Sequence, residues 1–525
     1  MQALLEQLRS LVGDDGFTTD ALECSYFSQD VYSQACPAAA VVSPVNTRQL
    51  AAAVRAAIAA GHAVIARGGG MSYTQGFVPV EANSILVDMS RMNRVLEINR
   101  EDMYVTVEAG ASWEKLHKAL EGTGLRTPYW GTLSGRYATV GGGLSQNSVF
   151  WGSGRYGSAA DSVISLELVL ADGSVINTGS AAQKHASPFF RHFGPDLTGI
   201  FTSDCGALGF KATVTLRLIP VSQAHAYGSF AFEHYAEMAA AMSEISRRNL
   251  ADECFGFDPY LQAMRMKRES MAEDARKFLG ALKAAGGVGA ALKQGTRMAV
   301  AGRGFMDDVK WSFHVMIEDR IEAAATDRLQ AIRAIVKRNR GRELADSIPR
   351  LVRANPFGPV NNMLGPDGER WVPVHGLVPH SKVRAVLDAI EALFGRNADL
   401  MQRLDIHIGY LLATVSSNCF VIEPVFFWPE ALMEIHRRSV DADHLKRLKG
   451  FAANPEASAA VAKIRSELVE LLSEMGAVHL QIGKSYLYRE GLRPESFALV
   501  QAIKQAVDPN NRINPGALGL SADRA

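Results

Sequence analysis

Residues 62–76 read HAVIARGGGMSYTQG, a short apolar run followed directly by three consecutive glycines. The run His62–Ala66 predicts a buried β-strand that ends at the glycines. Glycine tolerates positive φ and lets the backbone approach a ligand closely, and successive N–H groups in such a turn form a concave anion site. This segment by itself leaves two interpretations open, a phosphate-binding loop and an ordinary turn.

Two further glycine-rich stretches favour the ligand interpretation. Residues 139–157 read TVGGGLSQNSVFWGSGRYG, and residues 204–209 read DCGALG. Three glycine loops at strand ends within one α/β segment predict one bound phosphorylated cofactor. None of the loops reads GxGxxG within a βαβ unit or GxxxxGK[ST], so a Rossmann site and a Walker site are both excluded.

The order of strand and helix signals predicts an α+β protein. Short strands and helices alternate up to Pro220, with Thr47 as the expected N-cap of a helix that ends at Gly61. Beyond Pro220, long helical patterns alternate with strands, which predicts an antiparallel sheet covered by helices. We expect three regions: an N-terminal domain over 1–220, a cap domain over 221–475 and a C-terminal segment over 476–525 that packs back on the first domain.

Composition excludes several classes of protein. Lys plus Arg and Asp plus Glu both number 55, so no basic field points to nucleic acid. Five scattered cysteines without a CxxC pair fit a reducing compartment. We find no signal peptide and no apolar run long enough for a membrane span, so we expect a cytoplasmic protein.

The glycine segments belong to a longer pattern. RGGGMSYTQG, VGGGLSQN, LELVLADGSVINTGS, FGPDLTGIFTSDCGALGFKATVTLRLIP and AVDPNNRINPGALG occur in this order. This series resembles the PCMH-type FAD-binding domain of the vanillyl-alcohol oxidase/p-cresol methylhydroxylase family. HGLVPHSKVRAVLDAIEAL and NCFVIEPVFFWP are similar to cap-domain pieces of its 4-phenol-oxidising branch. The resemblance implies a PCMH-type FAD-binding domain of two α/β subdomains followed by a cap domain.

The resemblance also implies which residues hold FAD. Many members attach the flavin covalently through a histidine in the first loop or on a cap strand. Met71 and Cys419-Phe420 stand at these positions, so we predict non-covalent FAD. The predicted cofactor-binding residues are Arg67, Gly68, Gly69, Gly70, Met71, Ser72, Thr139, Gly141, Gly142, Gly143, Asn147, Gly206, Leu208, Gly209 and Asn514.

The phenolate-binding pattern of that branch is not reproduced. Met71 stands where one tyrosine is expected, Thr139 lies near the position of the acid, and His479-Leu480-Gln481 replaces a tyrosine-arginine pair. Residues 479–484 instead resemble the His-x-x-Gly-Lys segment of the sugar-lactone and alditol oxidase branch. That likeness nominates Gln481 and Lys484 as catalytic, with Lys484 stabilising the anionic reduced flavin.

Two cap strands carry the remaining catalytic candidates. Alternation places His407, Gly409 and Leu411 on one face of the first strand, and Glu423 lies within an apolar run on the second. A carboxylate there is costly unless it is paired or functional. We therefore keep open a buried ion pair and a catalytic base with His407 as its partner. A metal pair is the third reading, but the sequence after His407-Ile408-Gly409 departs from the His-x-Gly-Asp-Gly-Asn-x-His motif of the 2-hydroxy-acid dehydrogenases, so we expect no metal.

These observations predict an FAD-dependent oxidoreductase that oxidises an alcohol, aryl or otherwise hydrophobic, by hydride transfer to flavin N5. The alternatives are a lactate- or glycolate-type 2-hydroxy-acid dehydrogenase and a non-redox transferase of the alkyl-dihydroxyacetonephosphate synthase type. The sequence does not decide whether the electron acceptor is O2, a redox protein or a quinone. It also leaves the oligomeric state open, with a homodimer as the candidate. The expected partner is a small-molecule substrate. Its predicted pocket is lined by Tyr73, Tyr129, Trp151, Tyr156 and His375.

Overall fold

The computed structural model describes residues 1–266 and 309–521, with side chains described up to 262 in the first range. Part of the expected cap domain, residues 267–308, therefore lies outside the described residues. Within the described ranges, no helix is both long enough and apolar enough to cross a membrane.

The first glycine loop extends from a small mixed sheet. Its strands are β1 (Phe17–Thr18), β2 (Ala40–Val42), β3 (Val64–Arg67) and β4 (Ile85–Asp88). They lie in the order β1-β2-β4-β3, with β2, β4 and β3 parallel and β1 antiparallel. The inner strands are continuous apolar runs because both faces of a parallel sheet are covered. The predicted strand His62–Ala66 is thus confirmed with a shift of its ends.

The helix between β2 and β3 begins one residue earlier than the sequence suggested. Asn46 is the N-cap, and its side chain accepts a hydrogen bond from the Gln49 N–H at 2.9 Å. Thr47, the predicted cap, is instead the first helical residue, and its hydroxyl donates to Glu167 at 2.6 Å. Both residue types are good caps, so only the backbone path decides between them.

A second, antiparallel sheet completes the N-terminal lobe. Its strands are β5 (Val95–Asn99), β6 (Tyr104–Glu108), β8 (Val163–Val169), β9 (Val175–Asn177) and β10 (Phe210–Arg217). They lie in the order β5-β6-β10-β8-β9. A short ribbon pairs β7 (Leu125–Arg126) with β11 (Ile219–Pro220). The helices of this lobe span Gln2–Val12, Ala21–Phe27, Thr47–Ala59, Trp113–Leu120, Val140–Gln146, Ser153–Tyr156 and Leu197–Ile200.

The cap is built on one large antiparallel sheet, as predicted. Its strands are β12 (Ala224–Phe232), β13 (Glu253–Phe257), β14 (Trp311–Asp319), β15 (Arg342–Leu344), β16 (Arg370–Pro373), β17 (Gly376–Val378), β18 (His407–Val415) and β19 (Cys419–Trp428). They lie in the order β15-β12-β14-β13-β18-β19-β16, and β17 also pairs with β19. Strand β16 falls in a Pro- and Gly-rich stretch, residues 354–374.

Helices cover one face of the cap sheet and bury an apolar core against it. The described helices of the cap span Tyr235–Arg247, Pro259–Met266, Glu322–Arg338, Ser347–Ala354, Val383–Arg396, Ala398–Arg403, Glu434–Ser439, Ala442–Leu445 and Pro455–Glu474. Two of them pack outside this core, because Leu261 of Pro259–Met266 and Ile348 of Ser347–Ala354 belong to other apolar clusters. The opposite face of β13, β18 and β19 is turned towards the N-terminal lobe. That face forms a wall of the candidate site.

The C-terminal segment lies against the first lobe. It contains the helices Tyr488–Gly491 and Pro494–Val507. The Val64 N–H donates to the carbonyl of Arg512 at 2.8 Å, and the Asn514 N–H donates to the carbonyl of Val64 at 3.0 Å. The closing segment thereby lies against the strand that leads into the first glycine loop.

Candidate active site

A cavity of about 130 Å³ lies where the three glycine segments meet. The backbones of these segments approach one another more closely than other residues would permit. A Cβ on Gly69 would lie 1.9 Å from the carbonyl oxygen of Tyr137. Of the predicted cofactor-binding residues, those that line this cavity are Gly68, Gly69, Gly70, Met71, Ser72, Thr139, Gly141, Gly142, Gly143, Gly206 and Gly209.

The second glycine segment differs from the expected loop because residues 140–146 form a helix. Thr139 is its N-cap, and its hydroxyl accepts a hydrogen bond from the Gly142 N–H at 3.2 Å. A Cβ on Gly141 would lie 2.7 Å from the Cβ of Ala109, so glycine there lets the helix pack against the end of β6. Asn147 ends the helix in the left-handed conformation and does not line the cavity.

The third segment contributes an ion pair that the sequence argument missed. Lys211 lines the cavity, and its ammonium lies 2.7 Å from the carboxylate of Asp204. Both side chains are buried. A lysine one position after the buried start of a strand was the available signal. Leu208, predicted to contact the cofactor, packs into the apolar core instead.

Two predicted cofactor residues lie behind the cavity wall. The Arg67 guanidinium is stacked among Tyr26, Phe27 and Phe77, at 4.8–5.6 Å from their ring centroids. Asn514 is buried, and its amide donates to the carbonyl of Gly76 at 2.7 Å and to that of Cys205 at 2.8 Å. Asn514 therefore ties two glycine segments together from behind.

A larger cavity of about 200 Å³ adjoins the glycine-lined one. The residues that line both cavities form the junction between them, and they are Met71, Thr132, Ser134, Ser148 and Gln481. A molecule in the larger cavity can thus contact a group held by the glycine segments.

One wall of the larger cavity is the open face of the cap sheet. Alternate residues on three neighbouring strands point into it, because side chains alternate between the faces of a sheet. Glu423 on β19 pairs with Leu411 on β18, which pairs with Phe257 on β13. The residues of these strands on this face that line the cavity are Glu253, Phe255, Leu411, Ala413, Val415, Val421, Glu423, Val425 and Phe427.

Polar side chains gather near the junction. The Tyr73 hydroxyl accepts a hydrogen bond from the side-chain amide of Gln481 at 3.0 Å. Burial raises the pKa of Tyr73 well above its ordinary value, and the neighbouring Glu423 and Tyr486 raise it further. The Tyr73 phenol is therefore neutral at physiological pH and keeps its proton for donation.

His375 lines the cavity, but both of its ring nitrogens are engaged. Nε2 lies 2.8 Å from the carbonyl of Leu480, and Nδ1 lies 3.2 Å from the hydroxyl of Tyr486. Burial lowers the pKa of His375 to about 3, and His479 lowers it further. The neutral ring donates from Nε2 to Leu480 and thereby holds the segment that carries Gln481.

The predicted partnership of His407 with Glu423 is wrong. The two residues share a sheet face, but His407 lies opposite Phe427 at the exposed end of β18 and does not line either cavity. Its Nε2 lies 2.8 Å from Asp405, and its ring stacks on Tyr260. Strand periodicity gives the face of a residue but not its distance from the cavity.

Lys484 also lies away from both cavities. Its ammonium donates to Val78 O and Asn514 Oδ1, each at 2.8 Å, and to Gln75 O at 3.3 Å. Burial lowers its pKa to about 8. Because the ammonium donates its hydrogen bonds to protein oxygens, Lys484 links the C-terminal segment to the first glycine loop.

Three of the predicted pocket aromatics do not line the larger cavity. Tyr129 and Trp151 are fully buried in the core of the N-terminal lobe. Tyr156 lies under the guanidinium of Arg126 at 5.4 Å. Besides the predicted Tyr73 and His375, the aromatic surface of the cavity comes from side chains that the sequence did not single out, namely Phe150, Phe255, Trp371 and Phe427.

Comparison with known sequences agrees with the glycine-lined site. Residues 38–179 match the family described as FAD binding domain, which confirms the predicted FAD-binding domain. The chain is 30% identical over 243 residues to the glycolate oxidase subunit GlcD of Bacillus subtilis, covering 46% of this chain and 50% of that protein. It is 36% identical over 155 residues to a mitochondrial D-lactate dehydrogenase [cytochrome] of Arabidopsis thaliana, covering 30% and 26%. The chain thus spans half or less of these relatives' length.

Comparison with solved structures extends over the cap. Substrate-bound p-cresol methylhydroxylase superposes with a TM-score of 0.76 at 16% identity, covering 100% of this chain and 98% of that one. An alkyldihydroxyacetonephosphate synthase gives a TM-score of 0.66 at 15% identity, covering 98% and 86%. The protein therefore has the PCMH-type FAD-binding fold with a cap, as predicted.

The residues present fit FAD. The glycine-lined cavity offers backbone that a nucleotide diphosphate can approach closely, and Gly206, with φ +68°, leaves open space where a side chain would stand. Lys211 places an ammonium beside that backbone, where it is paired with Asp204. The same cavity opens into a second one, as a cofactor that must meet a substrate requires.

Proposed function

We propose that the protein is an FAD-dependent oxidoreductase that oxidises an uncharged, hydrophobic alcohol, aryl or alkyl. The observation that carries this proposal is the junction of the two cavities at Met71 and Gln481, with Tyr73 hydrogen-bonded to Gln481 beside it. A glycine-lined cofactor site that opens into an apolar cavity with a few polar groups is the arrangement expected for such chemistry.

The lining of the larger cavity favours an uncharged substrate over a 2-hydroxy acid. The described residues that line it include neither arginine nor lysine, and their only ionisable acids are Glu253 and Glu423. A substrate carboxylate would lie near these side chains without a cation to offset its charge. The lack of arginine and lysine among these described lining residues also weighs against the phosphorylated substrate of a synthase-type transferase.

The bound FAD would accept a hydride from the alcohol carbon. In the proposal, Glu423 accepts the hydroxyl proton, because it is the ionisable acid closest to Tyr73 in the cavity wall. Tyr73 donates a hydrogen bond to the substrate oxygen and so orients the C–H bond. Gln481 fixes the Tyr73 hydroxyl from the other side.

Non-covalent attachment of FAD is part of the proposal. Met71 stands at the junction, and its thioether lacks the ring nitrogen through which a histidine bonds to flavin. Denaturing the holoprotein should therefore release all of its flavin into the supernatant. Flavin fluorescence that stays with the chain on a denaturing gel would contradict this expectation.

An anaerobic reduction screen tests the proposed activity. Purified holoprotein would be mixed with aryl alcohols, alkyl alcohols and 2-hydroxy acids of matched size, and loss of the flavin absorbance would be followed. We expect reduction by uncharged alcohols and none by the hydroxy acids. Reduction by D-lactate or glycolate alone would favour the 2-hydroxy-acid dehydrogenase, and no reduction by any compound would reject both.

The same reduced samples can identify the class of electron acceptor. Rapid reoxidation in air with stoichiometric peroxide would assign O2. Slow reoxidation in air, with fast reoxidation by a soluble quinone, would assign a redox protein or a quinone.

A further inference from the structure

The cap face of the larger cavity carries a second carboxyl group, that of Glu253, which lies far from the carboxyl group of Glu423. Glu253 lies on β13, on the same sheet face as Phe255 and Phe257. Phe257 pairs with Leu411, and Leu411 pairs with Glu423. Glu253 is therefore two strands away from Glu423 and displaced along the strand, about 16 Å in all at the usual strand spacing and rise. The two acids mark opposite ends of one cavity.

The side chain of Glu253 is only half satisfied by the protein. It is 3% exposed. Oε1 accepts a hydrogen bond from the Gly152 N–H at 2.6 Å, while Oε2 has no hydrogen-bond partner among the described residues. A buried polar atom without a partner is rare and costly. Between the two acids, the sheet face presents the apolar side chains of Val421, Ala413 and Phe255.

We propose that Glu253 recognises an uncharged oxygen acceptor, such as a carbonyl, ester or ether oxygen, at the far end of the substrate. The substrate is then elongated, with the oxidisable alcohol near Tyr73 and Glu423, an apolar middle along the sheet face, and an oxygen at the other end. This inference rests on the proposed function only in taking the larger cavity as the substrate site.

The surroundings of Glu253 favour the carboxylic acid form that such recognition needs. Burial raises the pKa of Glu253, the guanidinium of Arg353 opposes this shift, and the nearby Glu318 and Asp252 reinforce it. A buried neutral carboxylic acid is a hydrogen-bond donor. With Oε1 accepting from Gly152, Oε2 is the atom that carries the proton and donates it to the ligand.

Matched ligand series test this inference by binding alone. Methyl ω-hydroxyalkanoates with chains of various lengths would be compared with 1-alkanols of the same number of heavy atoms. Perturbation of the flavin spectrum in the FAD-loaded full chain gives the dissociation constants. We expect one chain length at which the ester binds roughly tenfold more tightly than the alkanol, the size of one net hydrogen bond. An ω-amino alcohol of that length should bind no better than the alkanol.

Three substitutions of Glu253 separate recognition from a purely structural role. Glu253→Gln keeps an acceptor for the Gly152 N–H and a donor for the ligand, so the ester preference should remain. Glu253→Leu should abolish the preference and leave alkanol affinity within about twofold. Glu253→Asp withdraws the acid by one methylene, so the preferred ester should be longer. If Glu253→Leu does not retain FAD, the Gln and Asp variants still decide the question.

Several results would overturn the inference. They are no ester preference at any chain length in the unsubstituted protein, a preference that survives Glu253→Leu, an unchanged optimal length in Glu253→Asp, and tighter binding of the amino alcohol. Failure of the proposed function looks different. In that case the esters bind with the predicted length optimum, but no alcohol reduces the flavin.

Discussion

The glycine-lined cavity and the larger cavity, which is bounded by the cap sheet, are built from different parts of the chain. The first is shaped by backbone: Gly68–Gly70, Gly141–Gly143 and Gly206 let three segments converge. The second is shaped by side chains on paired strands, and its polar groups are few and widely separated. A site formed by backbone suits a fixed cofactor. A wall formed by side chains can be altered by single substitutions and so can be adapted to different substrates. Substitutions should therefore separate cofactor binding from substrate chemistry.

The largest expected effect is loss of FAD from Gly69→Ala. The added Cβ would lie 1.9 Å from the Tyr137 carbonyl oxygen, and displacing backbone at such a contact costs about 1–3 kcal/mol, or up to about 160-fold in affinity. Fluorescence titration of the apoprotein with FAD measures it. Gly395→Ala is the control, because this helical position is exposed and nothing lies within 4 Å of the added Cβ. Equal FAD affinity in the two variants would show that the first loop does not depend on close backbone packing.

The next largest effect is expected from Glu423, on the cap sheet face that lines the larger cavity. Glu423→Gln should slow anaerobic flavin reduction by roughly 10²-fold, because the amide cannot take up the hydroxyl proton. FAD affinity should not change. Stopped-flow absorbance measures the rate, and Glu343→Gln, at an exposed ion pair with Arg333, serves as the control. An unchanged reduction rate in Glu423→Gln would remove this residue from the mechanism.

Tyr73→Phe should have a smaller effect on the same step. The substitution removes one hydrogen bond to the substrate oxygen and leaves the Gln481 amide without its acceptor, so we expect reduction to slow by about tenfold. The double variant Tyr73→Phe with Glu423→Gln should be less damaged than the product of the two single effects, since the groups act on one oxygen. Full multiplicativity would mean that they act independently.

The smallest effect concerns stability against acid. The folded-state pKa of His375 is about 3, below the ordinary value near 6.5. The unfolded chain therefore binds more protons than the folded protein between these values, so stability falls as the pH decreases from about 6.5 towards 3. Thermal melts of wild type and His375→Gln at pH 7.5 and pH 5 should show a smaller loss of Tm in the variant. Equal losses would assign the acid sensitivity to other groups, such as His436.

The sequence predicted more of the first cavity than of the second. Glycine runs after apolar strands identify places where backbone must come close, and most of the glycines so identified line the cavity. Glu423 was found as an acid in an apolar strand, and it does line the larger cavity. Glu253 and Lys211 were missed because each is a single charged residue near the start of a strand, with nothing local to mark it.

The errors have a common physical origin. His407 and Glu423 were placed together because strand alternation gives a shared face, yet the pairing register puts His407 opposite Phe427 at the exposed end. Lys484 was predicted to be catalytic from a short motif, but its ammonium donates hydrogen bonds to three oxygens from distant segments of the chain. Asn46 and Thr47 are both good cap residues. In the structure Asn46 caps the helix, and the Thr47 hydroxyl donates a hydrogen bond to Glu167 instead.

By itself, the sequence determined the α+β class and the glycine segments of the FAD-binding domain. These follow from local periodicity, from the conformational freedom of glycine and from the ordered series of motifs. Only the tertiary structure decided which polar side chains share a cavity, because strand register and the packing of the cap on the lobe are fixed by contacts far apart in sequence. The carboxyls of Glu253 and Glu423 face one cavity for that reason.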